Sequence, residues 1–121
     1  LGQSGTTVRN LWLGSAIITS KTGPTVGTSA TAVDTFAVAT YRTAKYLIQI
    51  ADQGSTSFTS VEALVVQDGS DAYISVANDV STGSTLFSAL TASINGSNVE
   101  VKLTCTGVNN TVKISKAYVT V

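Results

Sequence analysis

Short runs of alternating apolar and polar residues, each followed by a turn rich in Gly, Asn, Asp and Ser, fill the chain from Tyr41 to Val121. The pairs Asp68-Gly69 and Asn95-Gly96 favour tight turns, because their residues tolerate positive φ angles. A period of two places successive side chains on opposite faces of a β-strand. The pattern predicts an all-β fold: an antiparallel β-sandwich, jelly-roll-like, of about eight strands.

The length and composition suit one domain. The chain has 121 residues, of which 43% are hydrophobic, enough to form a core. Four glycines interrupt residues 1–24, which end at Pro24, the only proline. We interpret residues 1–24 as an extended N-terminal arm or as first strands, and residues 25–121 as the β-sandwich domain. Both interpretations of the first segment stay open; an arm would dock on a neighbouring subunit.

Two strand segments depart from simple alternation. Residues 63–66 are apolar on both faces, which predicts a strand in the middle of a sheet. In the last strand the apolar residues share one parity up to Ile114 and the other parity from Ala117 onwards. A β-bulge near Ser115-Lys116 would bring both sets of apolar residues to the core.

The residue types needed for catalysis are scarce. Histidine is absent, which excludes serine triads and cysteine–histidine dyads in their usual form. Most acids lie at turns, where Asp makes local hydrogen bonds, so paired-carboxylate catalysis and a calcium site are both disfavoured. Cys105, the only cysteine, lies on an apolar face and is expected to be a buried, inert thiol. The sequence predicts no catalytic residue, no metal and no cofactor, and a protein that is not an enzyme.

Charge is sparse and balanced. Seven basic and seven acidic residues give a net charge of zero. A nucleic-acid-binding domain normally has a basic excess, and no apolar run here reaches the ~20 residues of a membrane-spanning helix. We therefore expect neither nucleic acid nor a membrane as partner. A neutral chain has little protection against association, which favours a protein that works inside an assembly.

Several segments form an ordered set with regular spacing. They are Asp34-Thr35-Phe36, then TYRTAKYLIQI at 40–50, VEALVVQDG at 61–69, STGSTLF at 81–87, INGSNV at 94–99 and VKISK at 112–116. Together they resemble a module of virion structural proteins from tailed phages, particularly phages of cyanobacteria. The resemblance covers about residues 33–121. Two positions depart from it: residues 36–39 are less polar than the module, and Lys116 stands where Arg is commoner.

The resemblance implies a non-enzymatic structural protein of a phage virion. It would decorate or extend the particle through subunit association, as a capsid decoration protein or a tail-fibre module. Its partners would be other virion proteins and copies of itself, with a trimer as the first expectation by analogy. The alternative function is a carbohydrate- or receptor-binding domain of a phage fibre, whose partner would be a host surface glycan.

Interface candidates come from two places in the sequence. An aromatic and leucine block in the first segment is of the kind that concentrates binding energy in interfaces. A Tyr-Arg pair precedes the most regular strand pattern, and Arg beside tyrosines is typical of interfaces. This Arg would alternatively pair with Glu62 or Asp34 on a neighbouring strand. The candidates are Leu11, Trp12, Leu13, Tyr41 and Arg42.

Overall fold

Alternating side chains and turn residues produce strands throughout the described part of the chain. The computed structural model describes residues 9–121, and in that range it contains no helix, hence none that could cross a membrane. The nine strands are β1 (Asn10–Trp12), β2 (Ala16–Thr22), β3 (Thr31–Ala37), β4 (Tyr41–Ala51), β5 (Phe58–Gln67), β6 (Ala72–Ser81), β7 (Phe87–Asn95), β8 (Asn98–Cys105) and β9 (Thr111–Thr120).

The strands form two antiparallel sheets. The larger sheet has the order β1-β2-β9-β4-β5-β6, and the smaller sheet has the order β3-β8-β7. The predicted all-β antiparallel sandwich is confirmed, with nine strands because β1 and β2 join the larger sheet beside β9. The division of the chain at residue 24 stays a prediction, and residues 1–8 of the predicted arm lie outside the described residues.

The core lies between the sheets because their inward faces are almost entirely apolar. Full burial of one Val, Leu or Ile side chain contributes roughly 1.5–3 kcal/mol, and alternate residues of three strands are buried in this way. The predicted burial of the cysteine is confirmed. These buried residues are Ala44, Tyr46, Ile48 and Ile50 on β4, Val61, Ala63 and Val65 on β5, and Val99, Val101, Leu103 and Cys105 on β8.

A buried asparagine closes one end of the sandwich. Asn110 Nδ2 donates to the backbone oxygens of Val26, at 3.0 Å, and Gly107, at 2.8 Å. The backbones of Val26 and Asn110 also exchange two hydrogen bonds of 2.9 Å. Val26 lies between β2 and β3, and Asn110 between β8 and β9, so the contact joins two connections that cross from one sheet to the other.

The last strand is regular where the sequence predicted a bulge. Pairing of β9 with β2 and with β4 continues through Ser115-Lys116 without a shift, so that prediction is wrong. Lys116 points inward and Ala117 points outward. A register shift occurs in β3 just before Asp34. It turns Asp34 into the interior, where its carboxylate meets Lys116.

Substitutions of two neighbouring residues on β4 test which face of the larger sheet packs against the core. Ile48→Ala should lower the free energy of unfolding by about 2–5 kcal/mol, because Ile48 is fully buried and its truncation leaves a cavity. Leu47→Ala, on the opposite face, should change it by about 0.5 kcal/mol or less, as is usual for exposed positions. Urea unfolding followed by circular dichroism measures both changes. Equal losses would contradict the assignment of the inward face.

Candidate association surface

A buried aspartate joins the smaller sheet to the larger one. Asp34, on β3, is 2% exposed, and its Oδ1 accepts a hydrogen bond of 2.6 Å from Lys116 Nζ on β9. Its Oδ2 accepts hydrogen bonds from the phenol of Tyr46 on β4, at 2.7 Å, and from the phenol of Tyr118 on β9. Lys21 Nζ, on β2, lies 3.6 Å from Oδ1. Asp34, Lys116, Tyr46 and Tyr118 are called the Asp34 cluster below.

The Asp34 cluster supplies every partner that a buried carboxylate needs. Tyr46 and Lys116 are cross-strand partners, and Tyr118 lies two residues further on the same face, so three donors converge on one side chain. Burial, and then the charge of Asp34, raises the pKa of Tyr46; burial, and then the hydrogen bond to Asp34, raises the pKa of Tyr118. Both phenols therefore stay protonated and act as donors. The cluster holds the sheets together and is closed to ligands.

Two of the five interface candidates, Tyr41 and Arg42, make contacts within their own domain. The ring of Tyr41 stacks on that of Tyr118, with 4.7 Å between ring centroids and an interplanar angle of 26°. Arg42 Nη1 donates to the backbone oxygen of Gln67 at 3.0 Å, in place of the predicted carboxylate partner. Gln67 Nε2 in turn donates to the backbone oxygen of Tyr41 at 2.8 Å. These contacts secure the start of β4, and an interface role for either residue stays a prediction.

The other three candidates lie on the β1–β2 hairpin at the edge of the larger sheet. Trp12 is 64% exposed and Leu13 is 51% exposed. Leu11 is half-buried and pairs with Ile18 of β2. Leu13 N donates to the backbone oxygen of Ala16 at 2.8 Å, which closes the hairpin. The tip of the hairpin therefore presents two large apolar side chains to solvent.

The outward face of the larger sheet carries exposed apolar side chains. This outer face consists of the side chains on β2, β9, β4, β5 and β6 that point away from the smaller sheet. Six large hydrophobic side chains on it are 43–55% exposed, and Val80, near the end of β6, is 71% exposed. The outward face of the smaller sheet, whose three strands are fully described, has no exposed large hydrophobic residue and carries Thr, Ser, Lys and Glu. The six residues are Ile18, Leu47, Leu64, Val66, Tyr73 and Val119.

Strand register makes the apolar part of the outer face contiguous. Val66 pairs with Tyr73 across β5 and β6, and Leu64 lies two residues away along β5. Leu64 pairs with Lys45 of β4, which is two residues from Leu47. Shallow depressions of about 240 and 300 Å³ lie on this face. Because monomeric proteins rarely expose contiguous apolar patches, this face is a candidate interaction site.

The signal for the outer face was present in β5. The sequence predicts that residues 63–66 lie in the middle of a sheet, because both faces are apolar. In the fold β5 lies beside the edge strand β6. Ala63 and Val65 face the core, whereas Leu64 and Val66 face solvent. The sequence thus shows a second apolar face but not whether another part of the chain covers it.

The fold resembles solved structures of phage tailspikes, whereas no protein-family model and no curated protein matches the chain. Tailspike gp49 of Acinetobacter baumannii bacteriophage Fri1, a capsular polysaccharide depolymerase, is similar with a TM-score of 0.55 and 16% identity, over 91% of this chain and 19% of that one. The tailspike of Acinetobacter phage vB_ApiP_P1 has a TM-score of 0.48 and 25% identity, over 96% of this chain and 24% of that one. The tailspike of A. baumannii phage AM24 has a TM-score of 0.41 and 12% identity, over 85% of this chain and 25% of that one.

The Fri1 comparison shows that this chain has the fold of a phage tailspike domain. This similarity shows the fold alone, so a role as a phage tail-fibre-like module and an origin in a phage of cyanobacteria both stay predictions. The prediction that the protein is not an enzyme is contradicted, because the Fri1 tailspike is a depolymerase. That prediction considered only the side chains of this chain, which spans 19% of the Fri1 tailspike.

The Asp34 cluster predicts a loss of stability in alkali. Above pH ~10 the unfolded chain releases tyrosine protons that folded Tyr46 and Tyr118 retain. The free energy of unfolding therefore falls by about 1.4 kcal/mol per pH unit for each such group, and the contribution is complete only below pH ~10. Tyr46→Phe should make this decline shallower by about 1.4 kcal/mol per pH unit.

Urea unfolding between about pH 9 and 11 measures that slope. Tyr73→Phe is the matched control. The Tyr73 side chain is exposed on β6, so the loss of its hydroxyl should leave most of the slope unchanged. Burial raises the pKa of Cys105 to about 11, and this contribution is common to all three proteins. A slope unchanged by Tyr46→Phe would show that the Tyr46 phenol does not retain its proton.

Proposed function

We propose that this chain is a domain of a phage tail protein and that it associates, through the outer face, with copies of itself and with other virion proteins. The observation that carries the proposal is the apolar patch on that face, in which half-exposed Leu47, Leu64, Val66 and Tyr73 adjoin through the strand register. The similarity to a tailspike domain favours a place in the tail of the virion over decoration of the capsid. A trimer remains the expected number of copies.

Burial of the outer face would stabilise a complex. Each Å² of apolar surface removed from water contributes about 25 cal/mol, which must exceed the loss of translational and rotational freedom on association. Lys45 and Glu62 lie on neighbouring strands of this face, among the apolar residues. A second copy therefore offers each of them a partner of opposite charge. A net charge of zero adds no overall repulsion between copies.

A second candidate function, binding of a host surface saccharide, is favoured by two exposed aromatic rings. Trp12 is 64% and Tyr73 is 55% exposed, and rings with one free apolar face can stack on a sugar. The Fri1 tailspike, whose domain has this fold, is a capsular polysaccharide depolymerase. Tyr41 and Tyr118 are unsuited to this role because they stack on each other inside the domain.

A carboxylate placed on the outer face should dissociate the assembly. Leu64→Asp is expected to raise the Kd of self-association about tenfold or more, which corresponds to about 1.4 kcal/mol, because the new charge would be buried unpaired. The melting temperature of the monomer should change little, since Leu64 is half-exposed. Sedimentation velocity over a concentration series measures the Kd. Thr91→Asp, on the outward face of the smaller sheet, is the control; equal effects of the two substitutions would contradict the proposal.

Saccharide binding has its own test. On an array of capsular polysaccharides the wild-type chain should bind, and Trp12→Ala or Tyr73→Ala should each weaken binding up to about tenfold, as expected for the ~0.5–1.5 kcal/mol of an aromatic contact. Val80→Ala removes exposed apolar surface without a ring and is the control. An array on which the wild-type chain binds nothing removes this second candidate.

A further inference from the structure

The two edge strands of the larger sheet run in directions that would allow antiparallel pairing between copies. Five successive antiparallel pairings separate β1 from β6, so the two edge strands run antiparallel. Within the described residues, β1 pairs only with β2 and β6 pairs only with β5. The β6 strand of one copy can therefore extend its sheet by antiparallel pairing with β1 of the next copy.

Charge is divided between the same two edges. Residues 9–22 and 111–121, which contain β1, β2 and β9, include four cations and no acid. Residues 58–81, which contain β5 and β6, include four acids and no cation. Because Lys116 is paired with buried Asp34, three of the four cations remain to make one edge region positive, against four acids in the other. The cations are Arg9, Lys21, Lys113 and Lys116, and the acids are Glu62, Asp68, Asp71 and Asp79.

Apolar side chains also occur on both edge strands, at positions that lie in the same row of cross-strand partners. Trp12 belongs to the row of cross-strand partners that ends at Ile74 on β6. Tyr73, next to Ile74, is 55% exposed, as Leu13 next to Trp12 is 51% exposed. Residues 72–77 of β6 contain no charge and no proline, the usual protection of an edge strand against pairing. This stretch of β6 is therefore open to a strand from another chain.

We propose that copies of this chain associate head to tail, with β6 of one copy paired antiparallel to β1 of the next. In the proposed register Trp12 lies opposite Ile74 and Leu13 lies opposite Tyr73, so each pair is on one face of the joined sheet. Arg9 then lies opposite Ala77, two residues from Asp79. The occupant of each edge is a second copy, because the charge and the apolar side chains of one edge complement those of the other.

The inference rests on the proposed self-association and specifies a contact separate from the outer face. A contact between two different edges is heterologous, so it produces a ring if the rotation closes and an open chain if it does not. It also depends more strongly on salt than the stacking of outer faces, in which apolar burial contributes most. Attraction between exposed charges is screened over ~10 Å at 0.1 M salt, so the edge contact should weaken as salt rises.

Disulfide cross-linking tests the register. Leu11 and Ser75 lie opposite each other in it, and within one chain they are separated by five strand spacings of ~4.8 Å, too far for a disulfide. A mixture of the Leu11→Cys and Ser75→Cys proteins, oxidised under native conditions, should form a mixed dimer. Leu11→Cys mixed with Thr91→Cys, on the smaller sheet, should not. Cys105 is buried and can remain in both proteins.

An exchange of charge between Arg9 and Asp79 tests the electrostatic contribution to the edge contact. Arg9→Glu and Asp79→Arg should each weaken self-association about 2–5-fold, the size expected for an exposed pair, and the double variant should recover it. A purely structural effect of either substitution would not be rescued. A mixed dimer together with this rescue supports the edge contact.

Three outcomes overturn the proposal, and they are distinguishable. A wild-type chain that stays monomeric at all concentrations overturns the edge contact together with the proposed self-association. Self-association that Leu64→Asp abolishes, without the mixed Leu11→Cys and Ser75→Cys dimer, overturns only the edge contact. A mixed dimer without rescue by the double charge exchange overturns the register of Arg9 and Asp79.

Discussion

The hydrogen-bonded Asp34 cluster is the interaction on which the relative position of the two sheets depends. The carboxylate comes from the smaller sheet, and its two phenols and one ammonium come from two adjacent strands of the larger sheet. An unpaired buried charge costs several kcal/mol, and hydrogen bonds require narrow ranges of distance and angle. Apolar contacts alone would tolerate small displacements. The sheets therefore cannot slide past each other without losing the whole cluster.

The same cluster determines what the protein shows to solvent. Because Lys116 turns inward to reach Asp34, Ala117 and Val119 turn outward and join the outer face beside Ile18. A bulge near Lys116 would have turned these apolar residues into the core and left the lysine in water. A buried ion pair thus extends the exposed apolar patch, and internal charge pairing and external association belong to one arrangement of β9.

The uneven surface distinguishes the two sheets and the two edges of the molecule. The smaller sheet has the polar outward face expected of a monomeric sandwich, whereas the outward face of the larger sheet carries a patch of exposed apolar side chains. Along the larger sheet, opposite charges collect at opposite ends, although their sum over the chain is zero. A uniform neutral surface would give a domain no preferred orientation. This distribution gives the domain one face with exposed apolar residues and two edges of unlike charge, so a neighbouring chain can bind in a defined orientation.

The sequence by itself determined the strands, their turns and the apolar face of most of them, because backbone preference and side-chain alternation are local. It also contained both apolar faces of β5, but alternation cannot show whether another layer covers a face. Tertiary structure alone decided the direction of Lys116. A lysine is normally kept in water, and the carboxylate that makes its burial favourable is 82 residues away in the chain, on the opposite sheet. No local pattern encodes a pair formed over that separation.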